Sequence, residues 1–125
     1  PANLKKYIKH KKFFQLSGED ATQIAFLAQG GDGVISVTAN IAPKKIAYMH
    51  NLWIEKKFSQ ALEIDKELVD LHNVLFLESN PIPVKYAAFK LGMCASELRL
   101  PLSQLSRENQ IIIDNILTKL NLNYR

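Results

Sequence analysis

The chain has 125 residues, of which 47% are hydrophobic and 22% are charged, and its net charge is +4 at pH 7 when histidine is neutral. This composition is typical of one soluble globular domain and includes no low-complexity tract. No apolar stretch approaches the roughly 18 residues of a membrane span, and the first residues do not resemble a signal peptide. The chain lacks an initiator methionine, which indicates that it begins inside a longer protein. Its single cysteine, Cys94, excludes an internal disulfide and favours a reducing, cytoplasmic setting with no membrane partner.

A basic run, KKYIKHKK at residues 5–12, supplies much of the positive charge. A basic run with an interleaved aromatic residue is compatible with nucleic-acid binding. Leu4, Tyr7 and Ile8 fall at helical spacing, however, so a short amphipathic helix over 3–11 would direct the lysines to solvent. No aromatic platform or glycine-rich RNA motif follows. We therefore expect a solvated helix surface and no nucleic-acid partner.

The next segment has the strand–helix–strand pattern of a βαβ unit. Residues 13–17, FFQLS, are aromatic and apolar and stop at Gly18, which predicts a strand. Residues 19–29 predict a helix with acidic residues in its first turn and a C-cap at Gly30-Gly31. Residues 33–37, GVISV, form a continuous apolar run that is typical of a strand covered on both faces, as in parallel sheets.

Everything after the second strand is predicted to be mainly helical. Helices are expected from Pro43 to about Phe58, from Ser59 to about Ser79, after Pro83 up to a C-cap at Gly92, and from an N-cap at Ser106 with Ile113, Ile116 and Leu120 facing inward. Residues 98–102, LRLPL, are predicted to be extended because Pro101 disfavours a helical Leu100. Cys94 is interpreted as a small core residue rather than a reactive thiol.

Two parallel strands do not form a stable sheet alone, because both edges are open and one pair buries little apolar surface. The missing strands come either from another chain or from a longer protein. A (β/α)8 barrel runs to about 250 residues, so a chain with two strands and extra helices fits the tail of one. The predicted fold class is α/β: the last two βα units of a TIM (β/α)8 barrel in residues 1–58, followed by a helical C-terminal region in residues 59–125.

Local phosphate-binding and metal-binding motifs are absent from the sequence. The glycine-rich stretch 30–33 is not followed by the GK[ST] of a phosphate loop. His10, His50 and His72 lie too far apart to indicate local metal-ligand spacing, and single histidines are usually structural. We therefore expect neither a metal nor a cofactor.

Four motifs, LSGED, GGDGVISVTANIAP, NPIPVKYAAFKLG and LRLPL, resemble in order and spacing the C-terminal part of the dihydrodipicolinate synthase family, within the class I pyruvate-dependent aldolase superfamily. The resemblance covers essentially the whole chain, and GVISVTAN and NPIPVK are its specific motifs. It implies that the strands near 13–17 and 33–37 are the seventh and eighth of a barrel. It also implies a homotetramer that condenses pyruvate with aspartate-semialdehyde on a lysine Schiff base, toward diaminopimelate and lysine.

Three residues match substrate-binding positions of that family. Ile35 matches the isoleucine whose backbone carbonyl faces the pyruvate pocket, and Gly18 matches the glycine that lets substrate come close at the seventh strand end. Asn80 matches the asparagine near the semialdehyde. Gly18 is also explained as a turn glycine, and Asn80 as a helix-start residue. Glu19 and Asp20 are better explained as helix-capping carboxylates than as an acid/base pair.

No catalytic residue is expected within this chain. The resemblance places the Schiff-base lysine and the tyrosine proton relay upstream, and no lysine here lies in an apolar strand where desolvation would lower its pKa. We expect the isolated chain to be inactive and to need the N-terminal half of the barrel as its partner. Two other interpretations stay open: a related lyase such as N-acetylneuraminate lyase, against which NPIPVK and LRLPL argue, and a non-catalytic helical interaction module, which leaves both strands without neighbours.

Overall fold

The computed structural model describes residues 2–8 and 13–122. Their regular elements are α1 (Ala2–Tyr7), β1 (Leu16–Ser17), α2 (Gln23–Ala28), β2 (Gly33–Val34), a 3-10 turn (Thr38–Asn40), α3 (Pro43–Ile54), α4 (Phe58–Val74), α5 (Ile82–Lys90) and α6 (Arg107–Lys119). No helix in these ranges combines the length and the apolar character that crossing a membrane requires. The chain divides into two compact units, Pro1–Ser36 and Val37–Arg125.

In the first unit, β1 and β2 form the parallel pair that the βαβ pattern predicts. Leu16 lies opposite Gly33, and Ser17 lies opposite Val34. The pair continues by one backbone hydrogen bond, which the N–H of Ile35 donates to the carbonyl of Ser17 over 2.8 Å. Both strands are shorter than predicted, because each has a single hydrogen-bonded neighbour among the described residues.

Three apolar side chains of the strand pair and its flanking residues are exposed. Phe14 is 74% exposed, Leu16 is 49% exposed and Ile35 is 71% exposed. The sequence predicts strands that are covered on both faces, and the described residues do not cover these three side chains. The difference matches the expectation that two such strands need further neighbours.

Helix α2 begins at Gln23, whereas the sequence predicts a start at residue 19. The residues before Gln23 form turns instead of a helix. In one of them, the Ser17 hydroxyl accepts a 3.0 Å hydrogen bond from the N–H of Glu19. The Asp20 carboxylate is 2% exposed and accepts a hydrogen bond from the Ser36 hydroxyl. The prediction that both carboxylates cap the helix is therefore wrong, because Asp20 connects the β1 loop to the residues after β2.

The predicted C-cap of α2 is confirmed. Gly30 has φ +88°, in the left-handed region that glycine adopts without strain. A methyl group on Gly31 would lie 2.1 Å from Cδ1 and 2.8 Å from the carbonyl oxygen of Phe26. Glycine is thus required at the first position by conformation and at the second by the close approach of Phe26.

Helix α1 ends at Tyr7, before the predicted end at residue 11. Its apolar residues are not buried, since Tyr7 is 84% exposed and Leu4 is 49% exposed. Lys6 is exposed, as the solvated-surface interpretation expects. The remainder of the basic run, at residues 9–12, lies outside the described residues.

In the second unit, four helices surround the main core. Helix α3 packs on α4, and both α4 and α5 pack on α6. The fully buried apolar side chains of this core include Ile41, Met49, Leu68, Leu71, Leu75 and Ile113. Pro43 occupies the first turn of α3, as predicted, where its missing N–H leaves no intrahelical bond unmade.

The ends of α5 and α6 follow the predicted caps. Gly92 after α5 has φ +73°. Ser106 precedes α6, and its hydroxyl accepts a 3.4 Å hydrogen bond from the N–H of Asn109. Ile113 is fully buried, whereas Ile116 and Leu120, which were also predicted to face inward, are half-buried.

Several other predictions for the second unit are wrong, and one is that α3 would reach about Phe58, since it ends at Ile54. The predicted extended segment closes into a turn, in which the N–H of Leu102 donates a 3.0 Å hydrogen bond to the carbonyl of Arg99. Cys94 is exposed rather than part of the core, because it lies beyond the end of α5. Helix α4 ends at Val74, short of the predicted Ser79.

Candidate functional site

Gly18 follows β1 directly, at the carboxyl end of the strand. Its φ lies outside the left-handed region, so the backbone conformation there does not require glycine. Apart from its two chain neighbours, no described residue has a heavy atom within 4 Å of a methyl group placed at this position. Gly18 lies in the tight turn between Ser17 and Glu19, so the turn explanation describes its place in the chain, and the open space beside it is a further property that a bound ligand can use.

Ile35 follows β2, at the same end of the parallel pair. Its N–H is engaged by the carbonyl of Ser17 at 2.8 Å. Among the described residues, no group donates a hydrogen bond to the Ile35 carbonyl oxygen. A carbonyl acceptor of this kind is suited to orient a hydroxyl or an imine N–H without a titratable side chain.

Asn80 lies before α5 in the second unit, where its peptide bond to Pro81 is cis. It is exposed, and within the described part of the chain its side-chain amide makes no hydrogen bond. The residue at the N-cap position is Pro81, and no side chain caps the helix. The helix-start explanation of Asn80 is therefore wrong, and its amide remains able to donate and accept hydrogen bonds.

A cavity of about 340 Å³ opens beside Asn80. It lies wholly within the second unit, between the 3-10 turn, α5 and the residues that follow α5. Its lining residues are Val37, Asn40, Asn80, Pro81, Val84, Lys85, Ala88 and Cys94. Two carboxamides and one ammonium group thus line a mostly apolar cavity, which is a suitable combination for a small polar molecule.

The 3-10 turn that forms one wall of this cavity is held by a buried histidine. The Oγ1 atom of Thr38 and the Nδ1 atom of His72 on α4 are 2.7 Å apart. Thr38 is 0% exposed and His72 is 2% exposed. The sequence interpretation treated His72 as an isolated structural histidine and missed this pairing. The available signal was its position on the apolar stripe of α4, four residues after Leu68 and three before Leu75.

The lysines of α5 differ in their partners. Lys90 forms a 2.9 Å ion pair with Asp114 on α6, and this hydrogen bond raises the pKa of Lys90. Lys85 forms no ion pair with any described residue. Burial and a 3.0 Å hydrogen bond to Asp114 raise the pKa of Tyr86, which places this tyrosine in the α5–α6 contact.

The described residues include no group of three histidine, cysteine, aspartate or glutamate side chains placed to hold a metal ion. In the same ranges, every lysine lies on a helix or in a connection, and none lies on β1 or β2. The lysine on a barrel strand that the family resemblance implies is thus not found in the part of the chain that the structure describes.

The model of the dihydrodipicolinate synthetase family matches residues 2–120. The chain belongs to this family. The sequence resemblance is thereby confirmed. The dihydrodipicolinate synthetase match includes every predicted site residue: Gly18, Ile35 and Asn80.

Individual relatives agree with the family match. The chain is 46% identical over 118 residues to the 4-hydroxy-tetrahydrodipicolinate synthase of Gluconacetobacter diazotrophicus, covering 94% of this chain and 40% of that protein. It is 47% identical over 112 residues to the synthase of Gluconobacter oxydans, covering 90% of this chain and 38% of that protein. The chain thus spans about two fifths of the length of the curated relatives that it matches.

The crystal structure of dihydrodipicolinate synthase from Aquifex aeolicus superposes with a TM-score of 0.90 at 41% identity. The superposition covers 97% of this chain and 41% of that chain. The α/β class of the fold is thereby confirmed. The structure places Gly18 and Ile35 in the first unit, at one end of the strand pair, and places Asn80 in the second unit.

Proposed function

We propose that this chain is the C-terminal part of a 4-hydroxy-tetrahydrodipicolinate synthase, formed by the last two βα units of a (β/α)8 barrel and the helical region after them. The observation that carries the proposal is the family match over residues 2–120, joined to 46% identity with a relative named for this activity. The complete protein would condense pyruvate with L-aspartate-4-semialdehyde. A lysine upstream of this chain would form the Schiff base with pyruvate.

In this proposal, Gly18 and Ile35 serve the pyruvate end of the site. The Ile35 carbonyl accepts a hydrogen bond from the bound pyruvate or its imine and so orients it for reaction. The open space beside Gly18 lets the substrate approach the strand end closely. The support is that both features lie at the carboxyl ends of parallel strands, where barrel enzymes place their chemistry.

Asn80 serves the semialdehyde end in the same proposal. Its amide donates and accepts hydrogen bonds, which suits a substrate that carries a carboxylate, an amine and an aldehyde. The support is that no described residue already uses this amide, and that it lines the 340 Å³ cavity.

The partner of this chain in the proposal is the N-terminal half of the barrel, which would pair with β1 and β2 and cover their exposed apolar side chains. The complete protein would be a cytoplasmic homotetramer. Support for the barrel partner comes from the exposure of Phe14, Leu16 and Ile35. The tetramer follows from the family resemblance, and the cytoplasmic setting from the single cysteine.

The complete protein that contains this chain provides the test. We expect it to turn over pyruvate plus aspartate-semialdehyde. The turnover is measured through a coupled reaction that consumes the product. The related lyase is tested in parallel by supplying N-acetylneuraminate and measuring the release of pyruvate. Turnover of N-acetylneuraminate without condensation of the semialdehyde would overturn the proposal in favour of that lyase.

A further inference from the structure

A buried polar contact in the core of the second unit joins two separate elements. His72 on α4 and Thr38 in the 3-10 turn are almost fully buried, and Nδ1 and Oγ1 lie 2.7 Å apart. Leu68 and Leu71 on α4, and Leu75 just after it, are each 0% exposed, and Asp65 on α4 lies close enough for His72 to influence the pKa of its carboxyl. Breaking a hydrogen bond in such a place leaves a buried polar group whose desolvation is uncompensated, at about 1–3 kcal/mol. The contact therefore fixes the turn relative to α4 much more strictly than apolar packing alone.

Thr38 also determines how the chain continues after the turn. Its carbonyl accepts backbone hydrogen bonds from Ile41 at 2.9 Å and from Ala42 at 2.8 Å. Both of these residues are buried and lead directly into α3. Thr38 is thus held at its side chain by α4 and at its backbone by the residues before α3, so the turn has one defined position between the two helices.

The turn presents residues to the cavity beside Asn80. Val37 and Asn40 flank the buried Thr38 and both line that cavity. The Asn40 side-chain amide donates a 3.0 Å hydrogen bond to the Val37 carbonyl, which keeps the turn closed. A displacement of the turn would therefore move two lining residues together and change the shape of the cavity next to the Asn80 amide.

We propose that His72 is a positioning residue for the second substrate: through Thr38 it holds the wall of the cavity in which the amide of Asn80 binds aspartate-semialdehyde. This inference rests on the function proposed above. His72 is buried behind the turn and does not contact the substrate itself. Displacements of about 1 Å near a reacting group lower rates by up to about 100-fold. A hydrogen bond that keeps the turn in place can therefore have a large effect on the reaction rate.

The test uses four variants of the complete protein. His72→Leu and Thr38→Val remove the hydrogen bond with little change of volume, whereas His72→Asn and Thr38→Ser keep a polar group able to restore it. We expect kcat/KM for aspartate-semialdehyde to fall about tenfold in the first two variants and to recover in the second two. The extent of pyruvate trapping by borohydride should stay within about twofold in all four.

A double variant and a stability control separate positioning from general destabilisation. Because the two residues act through one contact, His72→Leu combined with Thr38→Val should lower kcat/KM no further than either change alone. Ile113→Val removes a methylene from a fully buried site on α6. It should lower the melting temperature without changing kcat/KM for aspartate-semialdehyde or the extent of pyruvate trapping.

Two outcomes would overturn the inference. One is unchanged kcat/KM for the semialdehyde in folded His72→Leu and Thr38→Val proteins, and the other is an equal loss of pyruvate trapping and condensation. If His72→Leu fails to fold, the comparison of Thr38→Val with Thr38→Ser decides the question by itself. A wild-type protein without synthase activity would instead contradict the proposed function, and the inference would fall with it.

Discussion

At the scale of single residues, Asn80 is the side chain whose surroundings say most about function. It stands next to the first turn of α5 without capping it, and no described residue engages its amide. Replacing it with alanine should leave the melting temperature of the complete protein unchanged. The KM for aspartate-semialdehyde should rise about tenfold, the effect of one lost hydrogen bond of about 1.4 kcal/mol.

Ser106→Ala is the matched control for that variant. Ser106 is a true N-cap, since its hydroxyl accepts from the N–H of Asn109, and its loss should lower stability by about 1 kcal/mol without altering KM. A drop in melting temperature for Asn80→Ala with unchanged KM would show that Asn80 is only structural.

Asp65 on α4 carries a prediction about pH. Burial raises the pKa of its carboxyl above the ordinary value of 3.8, and the nearby His72 partly offsets this shift. Because the folded-state pKa exceeds the unfolded one, the charged form is less favourable in the folded protein. The free energy of unfolding therefore falls as pH rises from 3.8 through the folded-state pKa.

Asp65→Asn removes that charge and should stabilise the complete protein at neutral pH. Chemical denaturation at a series of pH values measures the difference between variant and wild type, which should shrink as the pH approaches 3.8. A variant that is less stable than wild type at neutral pH would mean that the Asp65 carboxylate has a stabilising partner.

The residues that sequence reasoning identified and those that it missed differ in kind. Gly92 and Ser106 act on their immediate neighbours in the chain, so local rules were sufficient to place them as caps. The partner of His72 is Thr38, which is remote in sequence, and no local pattern identifies it. Family resemblance selected Asn80, and the structure supplied what the sequence could not, namely that its amide is uncommitted.

At the scale of elements, the two glycines Gly18 and Gly31, both between β1 and β2, have different roles. Gly18 has open space and an ordinary φ, whereas Gly31 is in close contact with Phe26. Gly18→Ala in the complete protein should therefore fold with an unchanged melting temperature but lose most of its kcat/KM for pyruvate, because the methyl group occupies space meant for substrate.

Gly31→Ala is the control, because the opposite result is expected for it. Its methyl group would lie 2.8 Å from a backbone carbonyl oxygen, so the variant should be less stable than wild type in thermal unfolding. Full activity of Gly18→Ala toward pyruvate would remove the role assigned to the space beside Gly18.

Element types followed from periodicity, but several boundaries did not. The parallel strand pair and the helices of the second unit correspond to predicted elements. Helix α2 starts late because Asp20, a good capping residue by type, is buried and accepts a hydrogen bond from Ser36. The turn at Arg99–Leu102 was missed because a proline restricts its neighbour locally without fixing the path of the chain.

At the scale of the whole molecule, exposed apolar strands predict how the chain behaves alone. Phe14, Leu16 and Ile35 surround a strand pair whose edges have no further neighbours among the described residues. The purified 125-residue chain should therefore associate as its concentration rises, through open strand edges. Sedimentation velocity measures this, and a stable monomer over a wide concentration range would contradict it.

The most direct measurement for the central claim locates the reactive amine. The complete protein is incubated with pyruvate, reduced with borohydride, digested and examined by mass spectrometry, and the 125-residue chain is treated identically. The account predicts one reduced pyruvyl adduct, on a lysine N-terminal to Pro1, and none on the isolated chain. An adduct on any lysine of this chain, or none on the complete protein, would contradict it.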